Sequence, residues 1–165
     1  YPFLMACFHD RDLYLGTLRD IGTLPTIKDV LTWLHTRDSF GDASLAWIVE
    51  YRAERAGFAM MENVMWRFRK AGPVAVYIAP AFRRLGLCRD ASMTVLRFAF
   101  DHLNLNRVWT ETASCRPIPF GAPERPQYKF EGTQRAAGMV NGNPVDNNLW
   151  GCLSTDPEWQ AYWEE

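Results

Sequence analysis

The chain has 165 residues, 48% apolar and 22% charged, and its 18 basic side chains nearly cancel 19 acidic ones to leave a net charge of -1. That length supports one domain, read here as residues 1–165, able to bury about 70% of the surface its unfolded chain exposes. The composition excludes a disordered tail protein. A protein held to nucleic acid by phosphate contacts would carry a clear positive excess, so nucleic acid is not expected as the main partner.

The four cysteines (Cys7, Cys88, Cys115, Cys152) show no C-x-x-C spacing, and three histidines do not complete a zinc set. No metal site is expected, and the thiols read as reduced, which points to the cytoplasm. No apolar run reaches the roughly 18 residues of a membrane span. The apolar start lacks a basic region and a cleavage site, so no secretory signal is expected, and the absent initiator Met allows for a trimmed start.

In chain order, residues 1–8 read as an edge strand. Residues 27–37 read as a helix, with Ile27, Val30, Leu31 and Leu34 on one face and Thr26 as N-cap. A meander of strands follows: 46–51, a polar turn at 52–55, an extended run 57–67, a turn at Lys70-Ala71-Gly72-Pro73, and 74–79 as a central strand. Residues 88–103 form the best helix, its stripe made by Met93, Leu96, Phe100 and Leu103. A strand at 107–112 comes next. Pro117, Pro119, Pro123 and Pro126 then forbid a helix, so 113–128 reads as a long loop. Residues 133–140 and 145–153 form a hairpin around Asn141-Gly142. Of the seven tryptophans, Trp47, Trp109 and Trp150 are expected in the core. Trp66 and Trp159 are assigned there too, with a pocket or interface as the alternative.

The most informative unit is a strand, a basic glycine loop and a helix: 74–79, then Arg83-Arg84-Leu85-Gly86-Leu87, then 88–103. A helix start offers amides without backbone acceptors and the positive end of the macrodipole, and a glycine lets backbone approach a ligand. Together they suit a phosphate or pyrophosphate, with Arg83, Arg84 and Arg89 as countercharge. An ordinary strand-to-helix turn with solvated arginines is the alternative. Neither G-x-G-x-x-G nor a P-loop is present.

Several texts occur in a fixed order: Ile78-Ala79-Pro80, then Arg83-Arg84-Leu85-Gly86-Leu87-Cys88, Arg89-Asp90-Ala91, Asn106-Arg107-Val108, Glu131-Gly132-Thr133-Gln134-Arg135, and Asn141-Gly142 with Asp146. Over about residues 40–159 this set resembles the GNAT superfamily of acyl-CoA-dependent N-acetyltransferases, most closely its RimJ and RimL branch, which carries a Q/R-x-x-G-x-G/A loop before the corresponding helix. The resemblance implies an α+β fold with a mixed, mostly antiparallel central sheet flanked by helices. It implies acetyl-CoA as co-substrate, with the amides of Leu85, Gly86, Leu87 and Cys88 on the pyrophosphate and the strand edge at Tyr77, Ile78 and Ala79 on the pantetheine arm. The acceptor would be an amine-bearing small molecule or a protein N-terminus. The chain departs from the pattern at Cys88, where the family has Gly or Ala. It departs again after Ser114, where a proline-rich text replaces the family's Asn and its Y-E-K-x-G-F region.

Direct acyl transfer needs a base for the amine and a donor for the developing charge, and no nucleophilic side chain. Glu111 is the candidate base, and Ser114 a second polar group near the thioester. Tyr128 is a replacement for the missing proton donor. Cys115 has no histidine shown beside it and reads as a plain thiol. Glu62 and Asn63 are candidates for an acceptor groove, with a solvated strand face as the alternative. The alternative for the whole chain is a GNAT-like binding or structural protein with impaired catalysis. A β-rich C-terminus with exposed tryptophan leaves room for a homodimer.

Overall fold

The computed structural model describes residues 2–10, 28, 32, 44–115, 128–140 and 142–163. The helix expected at 27–37 and the proline-rich stretch 116–127 lie outside the described residues, apart from helical Lys28 and Thr32. The architecture is mixed α+β, with mostly antiparallel strands flanked by helices.

Residues Pro2–Phe8 form a helix, α1, not the expected strand. An unbroken apolar run carries no period from which helix and strand can be told apart. Here Leu4 and Cys7, one turn apart, are buried against Phe58 and Tyr77. The Phe8 ring stacks on Phe58 at 5.7 Å, and Phe58 stacks on Tyr77 at 5.5 Å.

The first sheet joins β1 (Leu45–Tyr51), β2 (Glu54–Met61) and β4 (Val74–Ile78) in that order, all antiparallel. Arg52 and Ala53 both take positive φ, the backbone of a two-residue hairpin turn. Exposure alternates along β1, as an edge strand with one covered face requires. By contrast, residues 56–59 of β2 are all buried, because the strand is covered on both faces. Phe58 packs toward α1, while Ala59 and Met61 join the main core.

The second sheet has the order β3 (Lys70–Ala71), β5 (Arg107–Ala113), β7 (Asn143–Leu153), β6 (Lys129–Val140). The expected extended run 57–67 stops at Met61, and Trp66–Phe68 form a single 3-10 turn. Lys70 and Ala71, expected in a turn, instead pair in parallel with Arg107 and Val108. Only Gly72-Pro73 breaks the chain before β4. β4, expected as a central strand, is instead the edge strand of the first sheet, its ladder running to β2 alone. Glu131 is an extra residue in β6, between the pairs Phe130–Trp150 and Gly132–Leu149, and Gly132 supplies the positive φ beside it.

Helix α2 (Leu87–Arg97) continues as a π turn over Phe98–His102 rather than as the expected single α-helix. Met93 and Leu96 carry its core face against Val108, Trp150 and Cys152. The short helix α3 (Pro157–Gln160) brings Trp159 onto Phe100, with ring centres 4.9 Å apart. Trp150 and Trp159 are buried as expected, whereas Trp47 and Trp109 are partly covered and Trp66 is exposed. No helix among the described residues is long and apolar enough to cross a membrane.

Candidate acetyl-CoA and acceptor site

The site begins where β4 leaves β5. The chain pairs with β5 through Ala71, and Thr110 Oγ1 then donates to the Val74 carbonyl at 2.6 Å. Beyond that bond the two strands share no ladder. Antiparallel pairing turns alternate residues toward the partner strand. Ala79 N–H donates to Ala56 O at 2.8 Å, and Glu62 N–H to Pro73 O at 3.2 Å. Tyr77 and Ala79 therefore turn their backbone toward β2, while Val76 and Ile78 turn theirs toward β5. Of the edge expected at Tyr77, Ile78 and Ala79, only Ile78 faces the notch. Val76, two residues earlier, shares that direction. Strand parity was the signal for Val76, but it needs the register, which the sequence does not contain.

The loop after β4 is shaped by backbone. Pro80–Phe82 make one 3-10 turn, Arg84 is left-handed at φ 65°, and Gly86 is left-handed at φ 79° as the N-cap of α2. No side chain caps α2. The amides of Leu85, Gly86 and Leu87 meet no carbonyl among the described residues. Nothing lies within 4 Å of where a Cβ on Gly86 would stand. An open glycine before an uncapped helix is the local geometry that suits an anion. Cys88 stands half-buried in the first turn, while Arg84 and Leu85 are exposed.

Two arginines expected as phosphate countercharge have protein partners. Arg83 Nε donates to Ile78 O at 3.0 Å, and its Nη2 to Asp10 Oδ2 at 2.7 Å. Tyr77 Oη donates to the same Asp10 oxygen at 2.6 Å. Burial and that bond raise the Tyr77 hydroxyl well above its ordinary pKa. Arg89 lies over the Tyr162 ring at 5.0 Å. Asp10 had no motif to reveal it, because its role comes from where α1 ends.

The candidate catalytic residues separate. Glu111 lies on β5, on the face opposite Thr110 and Thr112, and its Oε2 accepts from Asn147 Nδ2 at 2.7 Å. Ser114 follows β5, its N–H donating to Asp146 O at 2.9 Å. Tyr128 is buried in the main core, and burial raises its pKa. Asn63 donates to Gly72 O at 3.1 Å, closing the loop before β4. Glu62 is half-buried beside it.

The acetyltransferase (GNAT) domain model matches residues 8–114. The chain belongs to the GNAT acetyltransferase family. Its reaction is acetyl-CoA-dependent acetylation of an amine nitrogen. The fold is similar to that of the Vibrio cholerae spermidine N-acetyltransferase solved with CoA and spermine, with 18% identity, TM-score 0.81, and coverage of 96% of this chain and 91% of that one. A chimera of the Vibrio cholerae enzyme SpeG with hSSAT gives 17% identity and TM-score 0.77 over 99% and 92%. A probable acetyltransferase gives 26% identity and TM-score 0.65 over 75% and 68%. No curated protein matches the chain in sequence.

Proposed function

We propose that this GNAT enzyme acetylates the primary amine of a small cationic molecule by direct attack, with its catalytic groups split between two faces of the notch. The observation that carries this reading is the parting of β4 from β5 at the Thr110–Val74 bond. It leaves the Val76 backbone and the Ile78 N–H directed into a gap between strands, while the Ile78 carbonyl is held by Arg83. Such an edge accepts an extended amide chain by adding hydrogen bonds, as a strand would. The pantetheine arm is that chain, and the Leu85–Cys88 turn receives the pyrophosphate at one end of it.

Acetyl-CoA supplies an activated acetyl thioester. Glu111, on the far face of β5, takes one proton from the acceptor ammonium, directly or through water. The amine nitrogen then bonds to the acetyl carbon as the carbon–sulfur bond breaks. The second nitrogen proton reaches the departing sulfur through water and restores the thiol, with Tyr128, shut in the core, as the alternative donor. Ser114, just past the end of β5, is a second polar group for this exchange. A Tyr128→Phe variant decides between a proton donor, which lowers kcat at constant acetyl-CoA KM, and a core hydroxyl, which changes only stability.

The acceptor reading rests on the net charge of the chain, which disfavours a nucleic-acid target, and on the fold likeness to polyamine acetylating enzymes. We place the chain in the RimJ and RimL branch on its ordered motifs, as an enzyme of a reducing compartment given four unbridged thiols. A homodimer is compatible with the exposed edge of β6.

The test is calorimetric titration of acetyl-CoA into wild type and Gly86→Glu, followed by thiol-release assays with an amine panel. A glutamate there points a negative charge into open space at the phosphate cradle. Binding by wild type and none by the folded variant supports the reading. Equal binding by both would sink it.

A further inference from the structure

Asn147 holds a polar atom that the fold leaves unanswered. The residue is 2% exposed, on β7 opposite Ala113 of β5. Its Nδ2 donates to Glu111 Oε2 at 2.7 Å, and its Oδ1 is buried without a hydrogen-bond donor. The orientation is forced: a carboxylate only accepts, so the carboxamide nitrogen must face it and the oxygen must point elsewhere. Glu111 Oε1 also receives no donor among the described residues. The pair therefore holds two unanswered acceptors, that of Asn147 shut away from bulk water, and its one donor group is already engaged with Glu111. A buried acceptor in that state is costly unless something donates to it.

The ligand that complements such a pair is rich in donors and poor in acceptors. A primary ammonium has three N–H donors and no acceptor. We propose that Asn147 is an acceptor-binding residue whose Oδ1, together with Glu111 Oε1, receives the ammonium group of the substrate. This rests on the proposed placement of the acceptor on the Glu111 face. Asn147 fixes the nitrogen while Glu111 is free to take a proton. An alcohol of the same shape offers one donor and cannot meet both oxygens.

The test follows the Asn147 side-chain amide signals by nuclear magnetic resonance during titration with n-butylamine, spermidine and n-butanol, with and without CoA. The amines should shift those signals saturably, and n-butanol should not. By calorimetry, Asn147→Ala should weaken amine binding about tenfold, the effect of losing one charge-assisted bond. Asn147→Asp, which keeps an acceptor oxygen, should retain amine binding, and both variants should bind acetyl-CoA as wild type does. Signals that ignore the amines, or equal amine affinity in wild type and Asn147→Ala, would overturn the proposal. Amine binding at Asn147 without any acetyl-CoA binding would overturn the proposed function alone.

Discussion

Arg83 Nη2 lies 2.7 Å from the Asp10 carboxylate and ties the end of α1 to the turn that starts α2. The same guanidinium holds the Ile78 carbonyl through Nε. The first basic residue of the glycine loop is thus a brace for the loop, not a free cation waiting for phosphate. Asp10 also anchors Tyr77, so one carboxylate sets the N-terminal helix, β4 and the loop relative to each other.

Removing that carboxylate should loosen the cradle. Asp10→Ala is expected to cost about 1 kcal/mol of stability, since Arg83 is partly exposed and solvent screens the pair. Acetyl-CoA affinity should fall several-fold, because the loop then samples other positions. Urea denaturation and calorimetry measure the two effects separately. Unchanged affinity in Asp10→Ala would show that the loop needs no brace.

Gly57 is fixed by contact rather than by a turn. A methyl group there would be driven into the Tyr77 carbonyl oxygen of the neighbouring strand, and it would sit 3.0 Å from Ile78 Cδ1. Backbone cannot swing aside as a side chain can. Gly57→Ala should destabilise by about 3 kcal/mol, at the upper end of overpacking costs. It should also disturb the open edge of β4, lowering acetyl-CoA affinity. Thermal unfolding with a CoA titration reads both.

Glu131 gives the acid limb of stability a specific origin. Arg107 grips it through two hydrogen bonds, which lower its pKa from the ordinary 4.5. The unfolded chain therefore binds this proton at higher pH than the folded one. The contribution is complete above pH 4.5 and is lost as pH falls through the lower folded value. Glu131→Gln should flatten the loss of urea stability between about pH 5 and 3. Both side chains are about one-third exposed, so the effect should be modest and should shrink in high salt.

The four cysteines should separate under alkylation. Burial pushes the Cys7 thiol up to about 11, with the Asp10 charge adding to it, and burial raises Cys152 further. At pH 8 a thiol of pKa near 11 is ionised in about one molecule in a thousand, and only the thiolate reacts. Exposed Cys115 should therefore label first with iodoacetamide, and Cys7 and Cys152 only after denaturant is added. Peptide mass spectrometry at timed intervals gives the order.

The local signals and their order are legible in the residues alone. The polar turn within 52–55, the apolar stripe through Met93 and Leu96, and the basic glycine turn before α2 are each written within a few residues. The left-handed turn at Gly86 before α2 is readable in the sequence because a helix start and its preceding turn are local objects. The remaining features depend on pieces far apart in the chain. Helix α1 reads as a strand in sequence because its apolar residues show no period until Phe58 and Tyr77 choose one face. The open edge of β4 moved to Val76 and Ile78 because strand register, set by β2, fixes which amides point outward. Asp10 and Asn147 were invisible for the same reason. Each gains its role by meeting a residue 36 or more positions away, and such a meeting is fixed by packing rather than by the text around it.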